Sequence, residues 1–462
     1  MTYAITIFIL LIFLYFVYKK ENDLLSPVSI YTLSMIICVL CSFIGTTSWN
    51  DVRTIKFKTI VIIIISVFSF SLGKLLLNRL LKKKDISLNS IKKNKKLKRF
   101  NVDKFLIINN NQKYDLDLKY IILQILFITI TFILLYNEVK RIALIAGYDG
   151  IGFGNMVNKF RDLSILYTTE FVKNGQNINI VVSQMRKICE VFCFFNIFLL
   201  TKKIIDKDVK NYKTLLYLFI IFLCILLSLL TGGRMQIFIY IIAFIFLFIF
   251  LKFKGDYSIN IIKKYFKQLI LIFVALICGF YILLPLSGRS TNSDLISYIS
   301  FYFGASVPSL DKYLSVEHEE PKYFGEETLR GIQTVLYKFK ITDEIQPISK
   351  EWINYTDKKG NTLSSNIFTS AKRYYHDFGF VGIVICQILF GFTFEFIYYL
   401  AKKSNYILVF FSMYYYMCID QIRDELFFAN FVHINAVFKF LVLFVLFIFL
   451  KTVKKRKLKY EK

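Results

Sequence analysis

Between residues 372 and 377 the chain places two permanent cations, Lys372 and Arg373, an imidazole, His376, and a carboxylate, Asp377, directly ahead of an apolar run. At helical spacing Lys372 falls one turn from His376 and Arg373 one turn from Asp377, so all four gather at one helix start, where unpaired amides also favour an anion. Such a group can grip a phosphate and accept a proton. Arginine keeps its charge and offers phosphate a planar fork. A neutral imidazole accepts a proton near pH 7, whereas an ordinary carboxylate is a weaker base. Gly379 and Gly382 then leave room for a neighbouring helix. The plainer reading is a cluster snorkelling at a lipid surface. It covers the basic residues and tyrosines, and less easily His376 and Asp377.

A second arginine has a similar setting. Thr231, Gly232, Gly233 and Arg234 separate two apolar runs so closely that these must form a helical hairpin. Arg234 then stands at a helix N-terminus, and the glycines let a bulky phosphate approach the backbone. The bland alternative is a turn arginine among lipid headgroups. Arg423, within the stretch Asp420, Gln421, Ile422, Arg423, Asp424, Glu425, belongs to a turn that is either functional or merely solvated, and Arg289 is placed similarly just beyond an apolar run. Arg186, Lys187 and Glu190 lie inside an apolar run, about 12 Å or more from its end at the rise of a helix. Charge at that depth faces a protein interior or a water-filled cavity, either as a substrate contact or as an Arg186–Glu190 ion pair.

The elements that must hold these residues are membrane spans. Eleven apolar runs, at 2–18, 25–44, 59–77, 118–136, 178–200, 214–230, 235–251, 268–286, 378–400, 405–418 and 433–450, alternate with charged connectors. A helix of about 20 apolar residues crosses the hydrocarbon core with its backbone satisfied. Hydrophobic residues make up 56% of the chain and aromatic residues 18%, more than a soluble core of this length requires. The expected fold class is therefore all-α, a single polytopic membrane domain over residues 1–462. The formal charge of +27 does not indicate nucleic acid as a partner, because the basic residues flank apolar runs. There they orient a protein against anionic membrane lipid.

Residues 79–99 carry ten Lys and Arg against the single acid Asp85, and residues 451–462 carry seven against Glu461. This predicts a basic cytoplasmic loop at 79–117 and a cytoplasmic C-terminus, and eleven spans then put the N-terminus outside. The longest connector, 287–377, has eleven basic residues against twelve acidic ones and falls on the external side. The first run has no cleavage site after it and is followed by Lys19 and Lys20, so it reads as an anchor. All eight cysteines fall in or beside apolar runs, and neither the Cys38/Cys41 nor the Cys189/Cys193 pair has a histidine nearby in sequence to complete a zinc site. The glycines at 147, 150, 152 and 154 follow no strand and read as a flexible turn rather than a nucleotide cradle.

The Gly232–Gly233–Arg234 turn, the Asp377–Phe378–Gly379 segment with Gly382, and the layout of about eleven spans with one large external loop together resemble the O-antigen polymerase family. The layout covers nearly the whole chain and the motifs about twenty residues. The resemblance implies a GT-C-like membrane glycosyltransferase, independent of metal and cofactor. Such an enzyme joins oligosaccharide repeat units carried on undecaprenyl pyrophosphate outside the cytoplasmic membrane, into O-antigen, capsule or other surface polysaccharide. A chain-length regulator is then an expected partner. The related ligases carry a His-Asn pair near the corresponding late helix, where this chain has His376 and Asp377, which leaves the base open between the two. The first external connector holds a lone Asp51, unlike the acidic metal motif of protein oligosaccharyltransferases.

In this chemistry Arg234 and Arg289 bind pyrophosphate and Arg373 the leaving group or a sugar, with Gly232, Gly233, Arg186, Lys372 and Arg423 as further substrate contacts. Ligation of finished polymer uses nearly the same site. A lipid-linked oligosaccharide flippase should instead show related halves and charges through a central cavity.

Overall fold

The computed structural model describes residues 2–50, 52, 54–91, 114–163, 177–208, 210, 212–253, 257, 295–341, 351–358 and 360–460. Among them are fifteen α-helices, one π-helical turn and one two-stranded hairpin. Among the described residues seven helical segments are long and apolar enough to cross a membrane: 2–21, 27–48, 57–82, 118–145, 212–230, 234–253 and 371–401. The stretch 434–450 is a shorter apolar helix. The predominantly helical, membrane-type architecture expected from composition is therefore present.

Individual runs differ from their sequence reading. Residues 180–205 form a continuous helix of 26 residues, but Arg186, Lys187, Glu190, Lys202 and Lys203 dilute its apolarity. In the run 405–418 the hydrogen-bonded helices Asn405–Tyr414 and Tyr416–Asp420 meet at Tyr415, whose φ of −57° and ψ of −32° remain helical. Residues 79–91 of the basic loop extend the helix Phe57–Ile91. The run 268–286, Arg289 and residues 92–113 lie outside the described residues.

The chain divides into two compact units, one of residues 1–108, 256–259 and 292–436, the other of 109–255, 260–291 and 437–462. In the first, the 2–21 and 27–48 helices form an antiparallel pair that brings Tyr3 against Phe43. The second of these starts where Ser26 accepts the Ser29 amide and Pro27 supplies a first-turn residue with no amide to satisfy. The 57–91 and 371–401 helices run parallel and touch backbone to backbone. A Cβ on Gly391 would lie 2.1 Å from the Phe70 carbonyl oxygen, and one on Gly73 would lie 2.4 Å from that of Ile388. Their direction is fixed by contacts at both ends. Lys58 lies over the Tyr375 ring at 4.8 Å, and Lys74 pairs with the buried Glu395 at 3.1 Å.

The long connector before residue 371 is itself folded onto this unit. Helix Leu295–Gly304 packs so tightly on the 27–48 helix that the Ser42 hydroxyl donates to the Gly304 carbonyl at 2.6 Å. Helix Ser306–Tyr313 follows directly, and helix Arg330–Lys338 later. Strands Ile353–Thr356 and Thr362–Ser365 pair antiparallel, with Tyr355 opposite Leu363. The hairpin is pinned to the end of the 27–48 helix by the Asn50 amide, which donates to the Thr356 carbonyl at 3.1 Å. The second unit holds helices 118–145, 180–205, 212–230 and 234–253 and the 434–460 helix from residue 437, and a buried hydrogen bond of 2.7 Å from Asn196 to Gln124 joins the 180–205 helix to the 118–145 helix.

Candidate functional site

The helix Ala371–Ala401 is not one straight rod. Gly379 sits at φ 62° and ψ −152°, a region that other residues avoid, so the turns bearing Lys372 to Asp377 are set off by a kink from the apolar span behind them. Around these turns gather residues 313 and 327–330 of the long connector and the turn 420–425.

His376 is held through one ring nitrogen, Nδ1, which lies 2.8 Å from the Tyr313 hydroxyl. Tyr313 also stacks face to face on His318 at 3.6 Å between ring centroids, and the Lys372 ammonium lies 4.8 Å from its ring centre. Burial, then the carboxylates of Glu327 and Glu351, push the Tyr313 phenol up, so it remains a neutral hydroxyl. A neutral hydroxyl can donate to Nδ1 or accept from it. In the second arrangement Nε2 is left with a free lone pair, which is what a general base needs.

Asp377 has a different occupation. Its carboxylate accepts the Glu327 amide at 3.1 and 3.2 Å and the Thr328 amide at 2.6 Å. It therefore anchors the connector segment 327–328 on the 371–401 helix. That segment in turn supplies Glu327, which takes both oxygens to Lys372 at 2.7 and 2.9 Å, and Glu351 approaches the same ammonium at 3.4 Å. The Lys372–Glu327 pair is almost fully buried, 6% exposed on each side. Lys372 is thus neutralised within the fold, and the intrahelical pairs read from spacing are replaced by longer-range ones.

Arg373 makes a bidentate pair with Asp424, Nε to Oδ1 at 2.6 Å and Nη2 to Oδ2 at 2.7 Å. The Asp424 side chain is 44% exposed and that of Arg373 19%, so the pair opens to solvent on its acidic side. Arg330 stands nearby at the start of the 330–338 helix, whose Gly331 approaches the backbone of 428–432 so closely that a Cβ would lie 2.2 Å from the Phe428 carbonyl oxygen. Among the described residues the Arg330 guanidinium makes no ion pair or hydrogen bond, although Asp424 and Glu327 lie within electrostatic range. Burial and the neighbouring Arg373 pull its pKa down, the mark of a cation short of negative charge. An anion placed between Arg330 and Arg373 would relieve that deficit.

The turn 420–425 is not a solvated loop. Gln421 and Glu425 are fully buried, and the Ser370 amide donates to the Gln421 carbonyl at 3.0 Å. Arg423 lies 3.4 Å from Asp420 and stacks over Tyr302 at 4.8 Å. Burial raises Glu425 to about 7, yet its oxygens already accept the amides of Phe428 and Ala429 and the Tyr374 hydroxyl. It holds the turn in place.

In the second unit Gly232 adopts φ 66°, and the space a Cβ would take is filled by Arg161, whose Cδ would lie 2.3 Å away. The approach expected for phosphate at that glycine is therefore taken by a second arginine side chain. Gly233 follows at the tight turn, with its amide donating to the Ser228 carbonyl at 3.1 Å. Arg234 is buried, 3% exposed. Arg186 lies 3.9 Å from Glu190, which also receives Lys439 at 2.5 Å. This ties the 180–205 and 434–460 helices together.

Tyr313, Glu327 and Arg330 carry no local signal in the sequence. They are scattered through a connector that reads as near-neutral loop, and only the fold brings them to residue 373. The other end of the 371–401 helix holds a second polar cluster, where Lys74 bridges Glu21 and Glu395, and Asp23 receives Lys402 at 2.8 Å and the Tyr398 hydroxyl at 3.0 Å. These line a cavity of about 290 Å³. Among the described residues no group of three or more His, Cys, Asp or Glu is arranged to hold a metal ion. No family model, no curated protein and no solved structure matches the chain.

Proposed function

We propose that this protein is a membrane glycosyltransferase that polymerises oligosaccharide repeat units carried on undecaprenyl pyrophosphate, at the outer face of the cytoplasmic membrane. The observation that carries this reading is that the kinked start of the 371–401 helix brings an imidazole bonded to Tyr313 together with Arg373, whose Asp424 partner is partly exposed, and with Arg330, which makes no ion pair among the described residues. A transfer of this kind needs both functions side by side. The acceptor hydroxyl oxygen bonds to the anomeric carbon of the donor as the bond from that carbon to pyrophosphate breaks. The bonding pair leaves with pyrophosphate, and the hydroxyl proton passes to the base. His376 takes the proton, while Arg373 and Arg330 stabilise the departing charge without deprotonating.

The reading includes a GT-C-like arrangement of eleven spans with the N-terminus outside and the C-terminus in the cytoplasm, and chemistry without metal or cofactor. The parallel course of the 57–91 and 371–401 helices supports the span number. Two helices crossing one membrane in the same direction need an odd number of crossings between them, and the sequence holds five apolar runs in that interval. Undecaprenyl-linked oligosaccharide and membrane lipid are the partners, with a chain-length regulator.

The test is a carbohydrate ladder. Arg373→Ala and Arg330→Ala should each leave normal protein in the membrane and stop chains at one repeat, with Arg373→Lys only partly active because the fork geometry is lost. Full-length ladders from Arg373→Ala would refute the reading. Accumulation of lipid-linked polymer on inactivation would show a ligase instead.

A further inference from the structure

One apolar surface in the first unit is not explained by its own packing. Phe324 is 79% exposed, and Ile332, Tyr337, Phe339 and Ile341 follow it along the 330–338 helix and its end, with Phe339 at 64% and Ile341 at 68%. Large side chains left open at this density mark a surface that meets something other than water. The segment 330–341 also contains Arg330, Lys338 and Lys340 and no acid. The helix is amphipathic, with Ile332, Val335 and Leu336 on one side and Arg330 and Thr334 on the other, and the exposed Tyr337, Phe339 and Ile341 gather at its C-terminal end, a pattern that suits an element lying in the plane of a bilayer surface. At nine residues the helix is about 13 Å long, too short to cross and suited to lying flat.

Its position matches that reading. The Phe324 ring packs on Phe378 at 4.9 Å between centroids. Phe378 belongs to the first turns of the membrane-length 371–401 helix, where Phe380 and Val381 are exposed at 40% and 66%. The open surface of the connector is therefore continuous with the open surface of a span, at the level where that span begins. Gly331 seats the helix directly on the 428–432 backbone, so the apolar face is presented by an anchored element. Continuity with a lipid-facing helix, together with the all-basic charge, favours anionic lipid over a second protein as the occupant.

We propose that Phe324 and residues 330–341 form a monotopic foot embedded in the membrane interface, with Tyr337, Phe339 and Ile341 among the upper acyl carbons and Lys340 at the level of the lipid phosphates. The acidic stretch Glu317–Glu320 stays in water. Such a foot would hold the connector, and with it Arg330, at the headgroup depth where a lipid-borne phosphate lies. The inference does not depend on the transfer reaction.

The experiment uses the full-length protein in vesicles of phosphatidylcholine and phosphatidylglycerol whose acyl chains are brominated near the headgroup. Phe339→Trp and Glu319→Trp are compared in a Trp352→Phe background, with the buried Trp49 as a constant signal. Brominated lipid should quench Phe339→Trp about twofold more than Glu319→Trp, and iodide supplied on both sides of the bilayer should do the reverse. Equal iodide quenching of the two, or a Phe339→Trp reached by neither quencher because protein covers it, would overturn the proposal. Ile341→Trp reads the same face if Phe339→Trp does not reconstitute.

Discussion

His376 and Asp377 are neighbours in sequence but are engaged in different ways. Asp377 offers its oxygens to the amides of Glu327 and Thr328, and so works as a clamp on the connector. His376 has one nitrogen on Tyr313 and the other free of any hydrogen bond among the described residues. His376→Ala should therefore abolish chain extension while the unfolding temperature stays near that of the parent. Asp377→Asn sets an amide NH2 against a backbone N–H, and should lower stability by about 1–3 kcal/mol with part of the activity retained. Thermal unfolding measured beside the carbohydrate ladder separates the two. The opposite pattern, an inactive but fully stable Asp377→Asn, would make Asp377 the base. The residue types at this site were legible in the sequence, because a histidine and a carboxylate rarely stand together ahead of an apolar run. Their division of labour was not, since the groups that decide it lie about 50 residues or more away along the chain.

At the scale of elements, the site is carried by two helices whose backbones touch. The pair 57–91 and 371–401 meets through Gly73 and Gly391, each placed where a methyl group would strike the other backbone. Small residues allow this approach in a membrane, where dispersion and close contact replace the hydrophobic effect between helices. Gly391→Ala should separate the pair and cost about 1–3 kcal/mol through overpacking, read as a fall in the unfolding temperature of the full chain in detergent. An unchanged unfolding temperature would show that the two backbones do not meet at Gly391.

Helix existence was the most legible layer, because long apolar runs have few alternatives in lipid. Gly379 and Gly382 read from the sequence as room for a neighbouring helix, but a Cβ on Gly379 would meet nothing within 4 Å and one on Gly382 would strike Tyr374 and Phe378 of its own helix, so both glycines serve the kink instead. The interruption of helical hydrogen bonding at Tyr415 is absent from the hydropathy pattern, since the residues on both sides are apolar and aromatic.

At the scale of the whole molecule, charge is segregated along the 371–401 helix. Its beginning carries Arg373, Asp377 and their connector partners, and its end the Lys74, Glu395, Asp23 and Lys402 cluster, beyond which the parallel 57–91 helix runs into the basic stretch starting at Arg79. Because the two helices share a direction, whichever side holds the basic stretch is opposite the side holding His376. Anionic lipid and the membrane potential retain lysine and arginine on the cytoplasmic side, so His376 is expected outside. The described cysteines are buried except Cys41, which is half-buried, and give little labelling background. A cysteine introduced at Glu319 should then react with a membrane-impermeant maleimide in intact cells, whereas one at Lys93 should react only after lysis. Labelling of Lys93→Cys in intact cells with Glu319→Cys protected would invert the protein, put the arginines of the site in the cytoplasm and remove extracytoplasmic polymerisation as its function.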